Sequence, residues 1–281
     1  MKIGTVLSIF LGMAHAAVDD HSSPWNYNTW GSDWGSLTAI AGNECGNRNQ
    51  SPIDLPSSVD SSQIYASKSD NFNKMYTDQT NAKIYWDGHT SKITIVNPGE
   101  DLQKFSSSFA KDYLQGPERF SGVQFHFHHG SEHTIDGERH DLEMHTVHVP
   151  DEGAKGGIKY AAMGIMFSVD KHTANAEEWE VKIIDDFFEN LQWSETTTDP
   201  IVDLVSYGKV MMMVDTDNRW VYKGSVTTPP CATLVYWNVV RKIYPLKQKY
   251  LDQFKNQLKR GSLTGNYREI QAYDDHDLHI I

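Results

Sequence analysis

Cysteine, positive charge and long apolar runs are all scarce in this chain. Only two of its 281 residues are cysteine, Cys45 and Cys231. They leave two alternatives: one bridge, or two separate buried thiols. A bridge closing a loop of 186 residues would stabilise by roughly 5 kcal/mol on chain-entropy grounds. Lysine and arginine number 25 against 37 aspartates and glutamates, for a net charge of −12. That balance argues against nucleic acid or an anionic membrane surface as partner. No stretch beyond the N-terminus is long and apolar enough to span a bilayer. The polar end Asp274-Asp275-His276-Asp277 excludes a hydrophobic lipid-anchor tail. Internal repeats, linkers and low-complexity blocks are also missing. The expectation is therefore one mainly β domain on a large, mostly antiparallel sheet, with a few surface helices.

The N-terminus reads as a secretory signal. Lys2 is its positive residue, Ile3 to Met13 its short apolar run, and Ala14-His15-Ala16 its small-residue cleavage site. Cleavage after Ala16 leaves 17–281 as the mature domain, delivered to the secretory route. There the two cysteines meet an oxidising setting. Asn49-Gln50-Ser51 is formally a glycosylation sequon, weakened by Pro52 directly after it.

Histidine is what the chain has in plenty. Seven of its thirteen lie between His126 and His148. Read as a strand, Gln124 to His129 puts Gln124, His126 and His128 on one face and Phe125, Phe127 and His129 on the other. Glu143 to Val149 alternates likewise, with Glu143, His145 and Val147 on one face and Met144, Thr146 and His148 on the other. Asp136-Gly137 is a turn signal between them. Pairing the two runs places His126, His128 and His145 on one patch. Three neutral imidazoles with a fourth position open is how proteins hold catalytic Zn²⁺. Gln124 and Glu143, two residues before His126 and His145, are natural acceptors for the far N–H of a metal-bound ring. A His-rich solvated hairpin is the competing reading. The large apolar residues between the histidines oppose it.

Elsewhere the patterning predicts a hairpin from Lys83–Trp86 and Lys92–Val96, loop over 55–80, and a strand from Tyr160 to Val169. It predicts a helix from Ala174 to Leu191, capped by Asn175, with Trp179, Ile183, Phe187 and Leu191 at four-residue spacing. Val210–Val214 and Leu234–Val240 read as strands, Lys247–Lys259 as a helix, and the C-terminal end as loop. Trp25, Tyr27, Trp30 and Trp34 pin an irregular N-terminal segment.

Five motifs stand in order: Gln50-Ser51-Pro52-Ile53, Gln124 to His128, Gly130-Ser131-Glu132-His133-Thr134, Glu143 to His148, and Gly224-Ser225-Val226-Thr227-Thr228-Pro229-Pro230. Together they resemble the α-class carbonic anhydrases of the secreted type, over about Trp25 to Gln271. The resemblance implies a fold of about ten strands. It implies a zinc lyase that hydrates CO₂ reversibly to bicarbonate and a proton through a zinc-bound hydroxide, the known chemistry of that family. His126, His128 and His145 would be the metal ligands, and Cys45 and Cys231 would be bridged. Ser51-Pro52 and Pro229-Pro230 are candidate cis bonds. Thr227 would orient the hydroxide and donate to Glu132, and Thr228 would help place bicarbonate. Val147, Ala162, Val226, Val235 and Trp237 would line the CO₂ pocket. Ala162 stands where well-known members carry a larger aliphatic residue, which implies a roomier pocket and more esterase activity. His133 matches a structural histidine that braces Glu143 or nearby backbone, not zinc, and Gln103 matches a polar cavity residue. His129, where the family usually has Trp, and His148 are structural. Glu100 takes the place of the histidine that carries protons out, a poor match because an ordinary Glu has a pKa of about 4.3. Sulfonamides and small anions would inhibit. The alternative is a catalytically weak carbonic anhydrase-like binding or storage protein. A zinc hydrolase of larger substrates ranks lower, because neither an H-E-x-x-H helix nor a paired-carboxylate signature is present.

Overall fold

The structure is a computed structural model. It describes residues 23–58, 70–97, 99, 101–170, 176–193, 199–273 and 276–281. The candidate signal segment, Glu100 and Asn175 lie outside the described residues.

In chain order the strands are β1 (Asp54–Leu55), β2 (Phe72–Met75), β3 (Gln79–Trp86), β4 (Ser91–Thr94), β5 (Lys104–Ser107), β6 (Arg119–His129), β7 (Thr134–Ile135), β8 (Glu138–Arg139), β9 (Leu142–Pro150), β10 (Tyr160–Ser168), β11 (Ile201–Val205), β12 (Arg219–Ser225), β13 (Thr233–Val240), β14 (Tyr244–Pro245) and β15 (His279–Ile280). The helices are α1 (Ser108–Asp112), α2 (Glu178–Asn190), α3 (Tyr207–Met213) and α4 (Gln248–Lys259).

Twelve strands form one sheet, with a main path β11-β3-β4-β6-β9-β10-β13-β12-β15 and β2, β5 and β14 attached beside it. The expected ten rises to twelve partly through two-residue strands such as β14 and β15. Most pairs are antiparallel, but β10 runs parallel to β13 and β14. A small second sheet, β1-β7-β8, lies apart. Asp136-Gly137 does make a turn, with φ of 50° and 78°. It closes the short β7–β8 hairpin inside the longer β6–β9 connection.

Strands β6 and β9 sit mid-sheet, and their two faces do different work. Phe125, Phe127 and Met144 point into the main core. There Phe127 meets Phe187 and Phe188 of α2 and Trp193. Each such aromatic contributes about 1.5–3 kcal/mol by burial. The opposite face carries the histidine patch. A packed aromatic floor therefore fixes the backbone on which the patch is displayed.

Four expectations fail. Val210 to Met213 lie in helix α3 and Val214 caps it, so the run is not a strand. A short apolar run does not separate the two by periodicity, and unbranched methionines favour helix. Phe72–Met75 and the start of β3 are strands within the segment read as loop. Helix α2 starts at Glu178, where Glu177 and Glu180 form a capping box. Its core face is Ile184, Phe187 and Phe188, while Trp179 is 54% exposed. The C-terminal end, read as loop, adds β15 to the sheet edge.

Cys45 and Cys231 are bridged, and Ser51-Pro52 and Pro229-Pro230 are cis. Trp25, Tyr27 and Trp34 pack edge to face, and Trp30 stacks on Tyr267 at 4.4 Å. No helix among the described residues is long and apolar enough to cross a membrane.

Candidate metal centre

The β6–β9 register sets His126 directly opposite His145, with Gln124 opposite Val147 and His128 opposite Glu143. The side-chain period of two then brings all three candidate ligands to one face. Each ring has one nitrogen engaged on its far side. Gln124 Oε1 lies 2.8 Å from His126 Nδ1. The backbone carbonyl of Asn266 lies 2.6 Å from His128 Nδ1. Glu143 Oε1 lies 2.9 Å from His145 Nε2. All three partners are acceptors, so those nitrogens carry the protons. The lone pairs left over are His126 Nε2, His128 Nε2 and His145 Nδ1. One nitrogen from each ring falls within 4.8 Å of the others. His128 Nε2 is buried and has no hydrogen-bond partner among the described residues. Three converging imidazole lone pairs, one of them orphaned, fit a tetrahedral Zn²⁺ with its fourth position free.

Charge agrees with that reading. Burial, then the neighbouring His128 and His145, holds His126 well below its ordinary value. Burial also lowers His128. Both rings are neutral and able to ligate at pH 7. Burial lowers His145 too, but the Glu143 carboxylate outweighs it and pushes the ring up. A dication at Nδ1 opposes that shift by repulsion. Glu143 is itself held well below the carboxylate range: burial resists ionisation, and His133 and His145 overcome it. His133, Glu143 and His145 make a second cluster of possible ligands. Its atoms are spent on each other, since His133 Nδ1 and His145 Nε2 both bond Glu143 Oε1.

Glu132 is fully buried just past β6. Its Oε1 accepts the backbone N–H of Arg268 at 2.8 Å. Its Oε2 lies 3.5 Å from His128 Nε2 and 3.7 Å from His145 Nδ1. That oxygen has no hydrogen-bond donor among the described residues, the expected Thr227 included. Thr227 is buried in the segment after β12. Cys231 N–H bonding the Thr228 carbonyl closes that segment.

The family model for eukaryotic-type carbonic anhydrases matches residues 30–279. The chain belongs to the eukaryotic-type carbonic anhydrase family. It is 27% identical over 233 residues to a carbonic anhydrase of Nostoc, covering 81% of this chain and 74% of that one. Its fold matches the α-carbonic anhydrase of Thermovibrio ammonificans, solved with sulfanilamide, at TM-score 0.67 and 23% identity, over 91% of this chain and 98% of that one. It also matches dioscorin, solved with ascorbate, at TM-score 0.65 and 22% identity, over 88% and 92%.

Within this carbonic anhydrase fold the residues expected to line the pocket come mainly from three neighbouring strands. Ala162 on β10 lies opposite Val147 on β9 and Trp237 on β13. Ala162, Val235 and Trp237 share one cluster, with Val226 packed against it. The Trp237 ring stands 4.8 Å from that of His145. His133 braces Glu143, as read from the sequence, and its Nε2 meets the Tyr222 hydroxyl at 2.7 Å. His148 bonds Tyr76 at 2.7 Å, and His129 Nδ1 lies 3.2 Å from the Asp141 carbonyl, both off the ligand face. Gln103 is a correction. It is fully buried, and its amide donates to Thr77, so it does not front a cavity.

Sequence reasoning missed two residues. Asn266 supplies the carbonyl that holds His128. Its side chain bonds His129 N–H and the carbonyls of His89 and Phe127. Besides holding Glu132 by its N–H, Arg268 donates from its guanidinium to Gln50 Oε1, Ser51 O and Cys45 O. Glu132 is thereby tied to the disulfide. Nothing local in Gly265-Asn266-Tyr267-Arg268 marks this role.

Proposed function

We propose that the chain hydrates CO₂ reversibly to bicarbonate and a proton, with Zn²⁺ held by His126, His128 and His145. The observation that carries the reading is the set of three far-side hydrogen bonds, which leaves three lone pairs converging beside the orphaned Glu132 Oε2. When bound, Zn²⁺ supplies a water acidified to a pKa of about 7, a nucleophile available at neutral pH.

The chain's own groups do the rest. Glu132 Oε2, an acceptor only, would accept a hydrogen bond from the Thr227 hydroxyl. The Thr227 oxygen is left to accept the nucleophile's proton, which aims a lone pair at the CO₂ carbon. The buried, unsatisfied Oε2 supports this pairing. Thr228 helps place bicarbonate. Val147, Ala162, Val226, Val235 and Trp237 hold the apolar substrate and exclude competing water. Ala162 leaves room for bulkier esters. Sulfonamides and small anions compete for the fourth metal position.

The Lys2–Ala16 pattern supports export with cleavage after Ala16, leaving 17–281 as one secreted domain, and the disulfide suits that route. The likeness to dioscorin, solved with ascorbate, keeps a ligand-binding protein as the second reading. The intact ligand set favours the enzyme. Purified protein should carry one zinc per chain and show sulfonamide-sensitive CO₂ hydration by stopped flow. Zinc bound one to one without hydration would overturn the enzyme in favour of the binding protein.

A further inference from the structure

Residues that stand opposite each other in an antiparallel pair share a face. By that rule the ligand face extends beyond β6 onto β4. Lys92 stands opposite His126 and Thr94 opposite Gln124, while Ile93 between them is buried in the main core. One strand further out, Tyr85 on β3 stands opposite Lys92. The histidine patch therefore has two unlike flanks. Toward β10 and β13 lie Ala162 and Trp237, both apolar. Toward β4 lies an ammonium.

Lys92 is pinned in place. Its Nζ lies 2.6 Å from Asp87 Oδ2, and both side chains are 17% exposed, mostly buried yet within reach of a small ion. The other oxygen, Asp87 Oδ1, accepts the N–H groups of His89 and Thr90 at 3.0 and 2.9 Å. The turn fixes the carboxylate, and the carboxylate fixes the ammonium. Burial works against the charge on Lys92, but Asp87 and then Tyr85 outweigh it, so the group stays protonated. Burial works against Asp87 too, and Lys92 outweighs it there.

The charge of Lys92 is felt across the strand pair. Burial, His128 and His145 are the larger influences that hold His126 below its ordinary value, and Lys92 adds to them. The chain as a whole carries −12, which repels anions at long range. Inside a Debye length, about 8 Å at physiological salt, a fixed ammonium in a mostly buried wall acts with little screening. A small anion on the His126 side of the patch gains from that ammonium. A neutral ligand in the same place gains nothing from it.

We propose that Lys92 is the anion-selecting residue of this site: its ammonium favours bicarbonate and other small monoanions over neutral ligands at the metal position. Asp87 sets the strength of that preference, because it competes with the incoming anion for the same ammonium. For bicarbonate the role rests on the hydration reading. For other anions it rests only on the three-histidine metal site.

The test uses the full chain loaded with Co²⁺, so that binding is read from the visible spectrum and not from turnover. Thiocyanate is the anionic probe and imidazole, at a pH of about 8 where it is neutral, the uncharged one. Lys92→Met should weaken thiocyanate about three- to tenfold and leave imidazole within about twofold. Asp87→Asn keeps the oxygen that accepts the two N–H groups but removes the competing charge, so it should tighten thiocyanate by about the same factor. Lys92→Arg, which keeps the charge, should stay near wild type. On the zinc form, product inhibition of hydration by bicarbonate should follow thiocyanate in all three variants. Unchanged thiocyanate binding in Lys92→Met, both probes weakened together, or thiocyanate weakened by Asp87→Asn each overturns the assignment. If Lys92→Met does not hold metal, Asp87→Asn decides alone. A chain that selects thiocyanate through Lys92 but does not hydrate CO₂ sinks the hydration reading and leaves this residue its role. A chain that hydrates CO₂ while thiocyanate ignores both substitutions sinks this inference alone.

Discussion

His126, His128 and His145 stand on two regular antiparallel strands, whereas Asn266 and Arg268, which hold His128 and Glu132, lie on a segment without regular structure. On β6 and β9 the lattice itself places the side chains, because neighbours two residues apart share a face. The 266–268 segment has no lattice. Its position rests on hydrogen bonds: the five made by Asn266, the backbone N–H of Arg268, and the Arg268 guanidinium. A substitution on the strands removes a donor atom from the metal. A substitution in the segment leaves every ligand in place and loosens its aim.

The sharpest contrast comes from His128→Ala, which should abolish stoichiometric zinc and CO₂ hydration while the fold survives, as read by metal analysis and circular dichroism. Arg268→Ala should do the reverse. It strands the buried acceptors Ser51 O and Cys45 O and leaves Gln50 Oε1 only the Ser225 hydroxyl, costing about 3 kcal/mol in denaturant unfolding. A neutral Arg268→Ala would mean that the segment is held by something else. Next in size is Asn266→Ala, which keeps the carbonyl that holds His128 but removes the three side-chain bonds that position it, so zinc should weaken by less than the roughly 10- to 100-fold that follows outright loss of a ligand's outer partner. Gly164→Ala probes the same shell from the strand side. A Cβ there would come within 2.5 Å of Glu143 Oε1, so the carboxylate that orients His145 must shift, and zinc affinity should fall with it.

Much of the strand region was legible because a period of two needs no knowledge of the rest of the chain. Alternation alone separated His126, His128 and His145 from His129 and His148, and matched Gln124 and Glu143 to their rings. Glu132 and Thr227 drew attention only through the family resemblance, since a buried acid and a buried hydroxyl look like turn and strand residues in isolation. Asn266 and Arg268 were illegible. Their partners lie more than a hundred residues away, and a carbonyl or a backbone N–H leaves no mark in the sequence. The methionine run at 211–213 failed for another reason, because an apolar stretch that short suits helix and strand alike.

Two smaller effects bear on the same division. His148, on the core face of β9, has its pKa lowered by burial to about 3, against about 6.5 unfolded. Below pH 6.5 the unfolded chain takes up a proton that the native ring refuses, so stability falls with pH by up to about 1.4 kcal/mol per unit until about pH 3. His148→Gln should flatten that part of the acid-unfolding curve. Replacing Glu100 by His should give the smallest change, a modest rise of kcat in weak buffer. No change in any buffer would remove position 100 from the proton path.

Anomalous diffraction at the zinc edge on crystals of the metal-loaded protein addresses the central claim most directly. The account expects one zinc per chain, about 2.0–2.1 Å from His126 Nε2, His128 Nε2 and His145 Nδ1, with the bonds to Gln124, Asn266 and Glu143 intact. Zinc seated instead among His133, Glu143 and His145, or held through the nitrogens assigned here to the far side, would contradict it.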